Sequence, residues 1–493
     1  MKRDVAIVVL LVASAPAWSV AAPASDPAAA EAAYRLAQRL AADRSPDAAA
    51  AFEKVVDLAP AGPLADDALL GLARLAGAPD WPEDAAVLDP ARVPKAVAPL
   101  ERLLAEHADG DRALEGRYLL GLLKLAPASS RRIDDARAAL ITVATSPSGD
   151  PWRARARYAL GALSEMEGAT ERAAGAYARV VVEAPGTEAA ARAQVGFARE
   201  ELRLERYADA AVQLQEAIEA QAPARLQAEP LRALAVRELA VARDPRRAWS
   251  QGPRPLPTVP TTRGAALLAS GDGGVLAVFD RKNAALQIFD SRGGGRPPFS
   301  RDEVSAMASD APGRIYAVAG DALLRFDGAS WTAIAKLGAY AGSRALAVDA
   351  AGTVWLADRK GDRIGALAPG AAAPVLVRES RGSDVTALAA ATGAIVAAEA
   401  KTGRLVKITA AGAETPFGPT FRKPVSLAVD AAGRVSVLDS KSESVTRLSP
   451  GGDVRETLPL AGTGIERPLA IAATEDGSLR ILDGSTGGVV VTP

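Results

Sequence analysis

Six glycines, Gly274, Gly313, Gly352, Gly393, Gly433 and Gly477, each open a short run in which apolar side chains recur at every second position. Five of these runs end in an acid: Asp280, Asp358, Glu399, Asp439 and Asp483; the run from Gly313 to Ala319 keeps the strand pattern without it. Successive glycines are 39, 39, 41, 40 and 44 residues apart. Alternation at period two is the signature of a strand with one face in a core. A single unit of about 40 residues cannot bury such strands alone, so repeated units must pack against one another. Six copies at this spacing predict a six-bladed β-propeller over residues 263–493.

One blade can be read strand by strand. Val425–Val429 is expected innermost, Arg434–Leu438 second, Val445–Leu448 third and Val454–Leu458 outermost, with Ala431-Ala432-Gly433 turning between the first two. Lys423-Pro424-Val425-Ser426-Leu427-Ala428-Val429-Asp430, and less fully Arg467-Pro468-Leu469-Ala470-Ile471-Ala472, resemble the opening of NHL-type repeats. The resemblance implies the architecture, on which enzymes, receptors and scaffolds are all built. The last blade has three strands before the chain ends, and residues 252–262 are expected to supply the fourth, since an outer strand tolerates Pro. An acid recurring in five blades reads as a carboxylate capping the following turn, with a ring of metal ligands as the alternative.

Residues 28–242 follow another rule. They are rich in Ala, Leu, Arg and Glu, which favour helix, and a period near 34 emerges when the prolines are aligned. From Ala154 to Pro185, Leu160-Gly161 is followed by Ala173, Tyr177 and Pro185; Ala29–Pro60 and Ala191–Pro223 repeat the scheme. Asp67–Ala76 and Arg117–Leu125 each place a Gly where the first helix of a pair needs a small residue, with Val97–Glu106 and Ile133–Val143 as second helices. These units resemble tetratricopeptide (TPR) repeats. About five pairs are expected, with a capping helix from Pro230 to Val241 and a longer insertion at Gly77–Pro94. The fold class is therefore multidomain α + β, a TPR-like α-solenoid followed by an all-β propeller. The resemblance implies a groove lined by the first helices, toward which Arg155, Tyr158, Arg192, Arg199 and Arg203 point. Four Arg and one Tyr suit an acidic peptide or a C-terminal carboxylate; a solvated, salt-bridged helix face is the alternative.

Met1-Lys2-Arg3, the apolar run Val5–Val12 and the small residues up to Ala22 have the layout of a secretory signal peptide (1–22), an uncleaved anchor being the competing reading. An exported chain, periplasmic or extracellular, is expected, with no membrane span after cleavage. Residues 243–262, with five Pro and four Arg, read as a solvated linker, a basic docking strip being the alternative.

Composition narrows the chemistry. The chain has no Cys, one His (His107) and one Asn (Asn283). Disulfides, thiolate chemistry, a lipidated N-terminal Cys and multi-His metal sites are excluded. His107 is expected as an exposed last-turn residue, where a cation suits the helix C-terminus. Residues 263–493 carry 26 basic and 24 acidic side chains, and 28–242 carry 26 and 32, so neither half has a nucleic-acid signature. No phosphate-binding loop or nucleophile elbow occurs. No cofactor is expected, although a calcium site of Asp and backbone oxygens stays open. These readings lead to an exported, non-catalytic scaffold that binds a cell-envelope protein or peptide through the groove and a propeller face. The competing reading is a metal-dependent propeller hydrolase, lactonase or lyase with the helical array as a targeting arm.

Overall fold

The computed structural model describes residues 26–89, 91–126, 133–147, 151–219, 225–243, 254–255, 265–270, 275–289, 299–300, 304–310, 314–326, 330–391 and 393–492. The signal segment at 1–22, Gly293-Gly294-Gly295 and most of the 243–262 linker lie outside them. A helical region (27–243) is followed by an all-β six-bladed propeller (266–492). No helix among the described residues is long and apolar enough to cross a membrane.

Twelve helices form five pairs, one short helix within the second pair and a final helix among the described residues. The pairs are α1 (Pro27–Ala42) with α2 (Ala48–Leu58), and α3 (Ala65–Leu75) with α5 (Val93–Glu106), the short α4 (Pro82–Val87) lying between them in sequence. Then come α6 (Ala113–Leu123) with α7 (Ile133–Ala144), α8 (Trp152–Met166) with α9 (Thr170–Glu183), and α10 (Glu188–Arg203) with α11 (Tyr207–Glu219). The last helix, α12 (Arg225–Arg243), carries Pro230 inside it rather than at its start.

Glycines set the spacing between the layers. A Cβ built on Gly161 or on Gly196 would fall 2.7 Å from the Tyr177 ring, so α9 sends one aromatic between two first helices. Gly71 meets Phe52 at 2.8 Å and Gly121 meets Leu140 at 3.3 Å in the same way. Each small residue admits a large one from a neighbouring second helix, which gives the array a continuous core of the kind stacked repeats require. His107 follows the last turn of α5 half-buried, not exposed, because the chain turns there toward α6.

The propeller is six antiparallel four-stranded sheets. Blade five runs Pro424–Val429, Val435–Asp439, Ser444–Leu448 and Val454–Pro459, paired in sequence order. Blade six has Pro468–Ala473, Leu479–Asp483 and Val489–Thr492, and its outer strand is Arg254–Pro255, antiparallel to Val489–Thr492. One sheet thus joins the beginning and the end of the propeller and closes the ring.

The two halves touch chiefly through turns between first and second strands, and also through the outer strand of blade five. Ala432 of blade five is buried among Leu214, Leu231 and Leu234 of α11 and α12. Glu238 of α12 pairs with Arg434 at 2.5 Å, and Arg434 holds Asp430 at 2.6 Å. Arg237 donates to the Gly477 carbonyl of blade six at 3.2 Å, and Glu205 pairs with Arg455. Arg434 is 2% exposed, so its two carboxylate partners are what keep its charge tolerable inside the protein.

Candidate functional site

The five side chains expected along the first helices fall into two groups. Arg155, Tyr158 and Arg192, from α8 and α10, surround Trp81. The Arg155 guanidinium lies 4.6 Å from the Trp81 ring centroid and the Arg192 guanidinium 4.4 Å from it. Tyr158 meets the same ring edge-on at 5.6 Å. Trp81 is 5% exposed and belongs to the core that contains Tyr177, Ala189 and Ala193. Each cation–π contact is worth about 0.5–1 kcal/mol at a partly exposed site, and burial of a large apolar ring contributes about 1.5–3 kcal/mol more.

Trp81 belongs to Asp80-Trp81-Pro82-Glu83-Asp84, in the insertion between α3 and α5. Pro82 opens α4, where its missing N–H costs nothing, and the Trp81 N–H donates to the Asp84 carboxylate at 3.2 Å. The acids around the ring meet donors on the array. Asp80 lies 3.4 Å from Arg74 and 3.9 Å from Arg155. Its carbonyl accepts from the Tyr118 hydroxyl at 2.8 Å, and Glu83 accepts from the Tyr158 hydroxyl. Partial desolvation beside Trp81 raises the Asp84 carboxyl, although the residue is largely exposed, and the Arg192 charge opposes that shift. An acidic, aromatic segment of the chain therefore lies on the surface that was expected to take an acidic peptide.

Arg199 and Arg203 do not reach Trp81. They converge on Glu165 of α8, at 3.2 and 3.0 Å, and Glu165 also accepts from the Tyr177 hydroxyl at 2.9 Å. Burial alone would raise the Glu165 carboxyl, but Arg199 and Arg203 hold it below the usual range. Glu200 next to them goes the other way: burial pushes it up to about 7, with Glu165 adding to the rise and Arg203 opposing it.

Sequence reasoning missed Trp81, Asp80, Glu83 and Asp84. The available signal was a Pro-flanked Trp between acids in an otherwise helical half. Gly196 is the small residue of α10 that meets Tyr177.

In the propeller the strand-ending acids cap turns. Asp439 accepts the N–H groups of Arg422, Lys423, Lys441 and Ser442 at 2.7–3.1 Å. Burial opposes ionisation of Asp439, yet these bonds hold its pKa below the ordinary value. Asp483 and Asp358 cap their turns similarly, and Glu399 is held by Arg378, Arg404 and Thr402. The Asn283 amide donates to Asp280 at 2.6 Å and so belongs to such a turn. Among the described residues no group of three or more His, Asp or Glu is arranged to hold a metal ion.

No protein-family model and no curated protein matches the chain. Solved structures resemble the propeller half. A streptogramin B lyase is 14% identical, with a TM-score of 0.39, over 49% of this chain and 96% of its own. A gluconolactonase from Xanthomonas campestris is 16% identical, with a TM-score of 0.40, over 49% of this chain and 90% of its own. A luciferin-regenerating enzyme is 14% identical, with a TM-score of 0.39, over 49% of this chain and 95% of its own. These neighbours correct one expectation. The absence of turnover was inferred from a propeller lacking His and from acids repeated blade by blade, yet propellers named as lyase, lactonase and regenerating enzyme share this architecture. Carboxylates and backbone groups can serve acid–base or metal-assisted chemistry without His, so the missing His does not exclude catalysis.

Proposed function

We propose that this chain is a partner-binding protein whose helical array recognises an acidic segment of another protein, with the propeller fixed beside it as a second surface. The observation that carries the reading is the cluster on α6, α8 and α10. The Arg155 and Arg192 guanidinium groups lie over an aromatic ring while the Tyr118 and Tyr158 hydroxyls donate to oxygens of the chain that bears it. Planar guanidinium groups suit both tasks, because they stack on rings and pair with carboxylates. The buried Glu238–Arg434–Asp430 chain supports the second part, since it ties the array to the propeller through groups that cannot be separated cheaply. The partner belongs in the cell envelope, where the layout of the N-terminal segment would send the chain. This role is independent of any reaction at the propeller.

The test is affinity capture from an envelope extract, with the wild-type chain and Arg155→Glu/Arg192→Glu as baits. Proteins retained by the wild type and lost by the folded variant support the reading. The same proteins retained by both baits would remove the array face from the function.

A further inference from the structure

Resting on that reading, we infer that residues Pro79–Val87 are a built-in ligand: they occupy the recognition face of the array, and an external partner displaces them with an acidic segment centred on an aromatic residue. The segment meets the array as a bound peptide would. It comes from the connection between α3 and α5, and besides Arg74 of α3 it contacts α6, α8 and α10, elements up to about 110 residues further along the chain. Its ring is the anchor, held between two guanidinium groups and Tyr158. Its acids surround that anchor, with Asp80 at Arg74 and Arg155, and Glu83 at Tyr158.

The segment is short, and its acids stay at the surface while its described apolar side chains are buried. Within Pro79–Ala85, Pro79, Trp81, Pro82 and Ala85 are buried and anchor the segment, while Asp80, Glu83 and Asp84 face solvent. Its one regular element is the six-residue α4. The chain also tethers the segment to the face, at an effective concentration in the millimolar range for a short linker. A partner of equal chemistry must exceed that concentration or add contacts of its own. The occupied state therefore lowers the apparent affinity for any external segment by the fraction of time the face is covered. Two specificities follow from the contacts. The partner needs an aromatic ring, because Arg155 and Arg192 lie over one, and it needs flanking acids, because Arg155 and the Tyr158 hydroxyl face the carboxylates of Asp80 and Glu83.

The experiment uses the full chain and a fluorescein-labelled synthetic peptide spanning Ala78–Leu88, read by anisotropy. Asp80→Ala/Trp81→Ala/Glu83→Ala opens the face. The opened chain is expected to bind the peptide at least tenfold more tightly than the wild type, and adding Arg155→Glu and Arg192→Glu should erase that gain. A peptide with Ala in place of its Trp should not bind. An opened chain that is folded by circular dichroism and binds no better than the wild type would overturn the inference. Should the triple variant fail to fold, hydrogen exchange on the wild type decides. Amides of 80–87 should exchange faster when the unlabelled peptide is added at millimolar concentration, and unchanged exchange would overturn the inference. Loss of peptide binding together with intact Arg-dependent capture would remove the built-in ligand and leave the proposed function standing.

Discussion

Glu165 and Glu200 lie one helix apart around Arg199 and Arg203, yet they titrate in opposite directions. The two arginines neutralise Glu165, so its charge is kept. Glu200 is fully buried and is pushed up to about 7, so the folded chain holds its proton more tightly than the unfolded chain, where a Glu titrates near about 4.3. Its sign follows from linkage. A raised carboxyl favours folding at low pH, and that advantage fades as pH rises from the ordinary carboxylate range to about 7, above which the penalty is constant. Glu200→Gln is therefore expected to raise the Tm at pH 8 by a few degrees and to change it little at pH 5, at roughly 2–4 °C per kcal/mol for a domain of this size. An equal shift at both pH values would contradict the assignment. None of this was legible beforehand, because the sequence places Glu165 and Glu200 in separate repeats and only the stacked helices bring them together.

Elements were far more readable than contacts. The 40-residue spacing and the Gly-led alternation predicted six blades because each blade must repeat the same turn and the same buried strand. In blade five the expected strand Val425–Val429 and the observed strand Pro424–Val429 differ by one residue. The paired helices were readable for a related reason: Gly161 admits Tyr177, and that exchange of volume leaves a small-then-large pattern at fixed spacing. The insertion was visible only as an insertion, since one copy of Asp80-Trp81-Pro82-Glu83-Asp84 has no period. Turn caps offer the test at this scale. Asp439→Ala would leave the N–H groups of Arg422, Lys423, Lys441 and Ser442 without their acceptor, and should destabilise the propeller by about 2–3 kcal/mol. Urea unfolding of wild type and variant measures it, and a difference below about 0.5 kcal/mol would show that other groups satisfy the turn.

At the scale of the whole molecule, charge totals sum what the fold separates. Those totals carry no trace of a buried Arg434 shared between the halves, or of the meeting of Arg74, Arg155 and Arg192 with an acidic segment of their own chain. Arg434→Met would strand Glu238 and Asp430 inside the contact, a defect of about 3–5 kcal/mol. Calorimetry should then resolve separate unfolding of array and propeller, and a single unshifted transition would contradict the coupling. The role of the array itself is tested most directly by titration calorimetry of the purified chain with a partner recovered by capture, comparing the wild type with Arg155→Glu/Arg192→Glu. Recognition through α8 and α10 predicts affinity at least tenfold weaker in the variant with its fold intact, and equal affinity would contradict it.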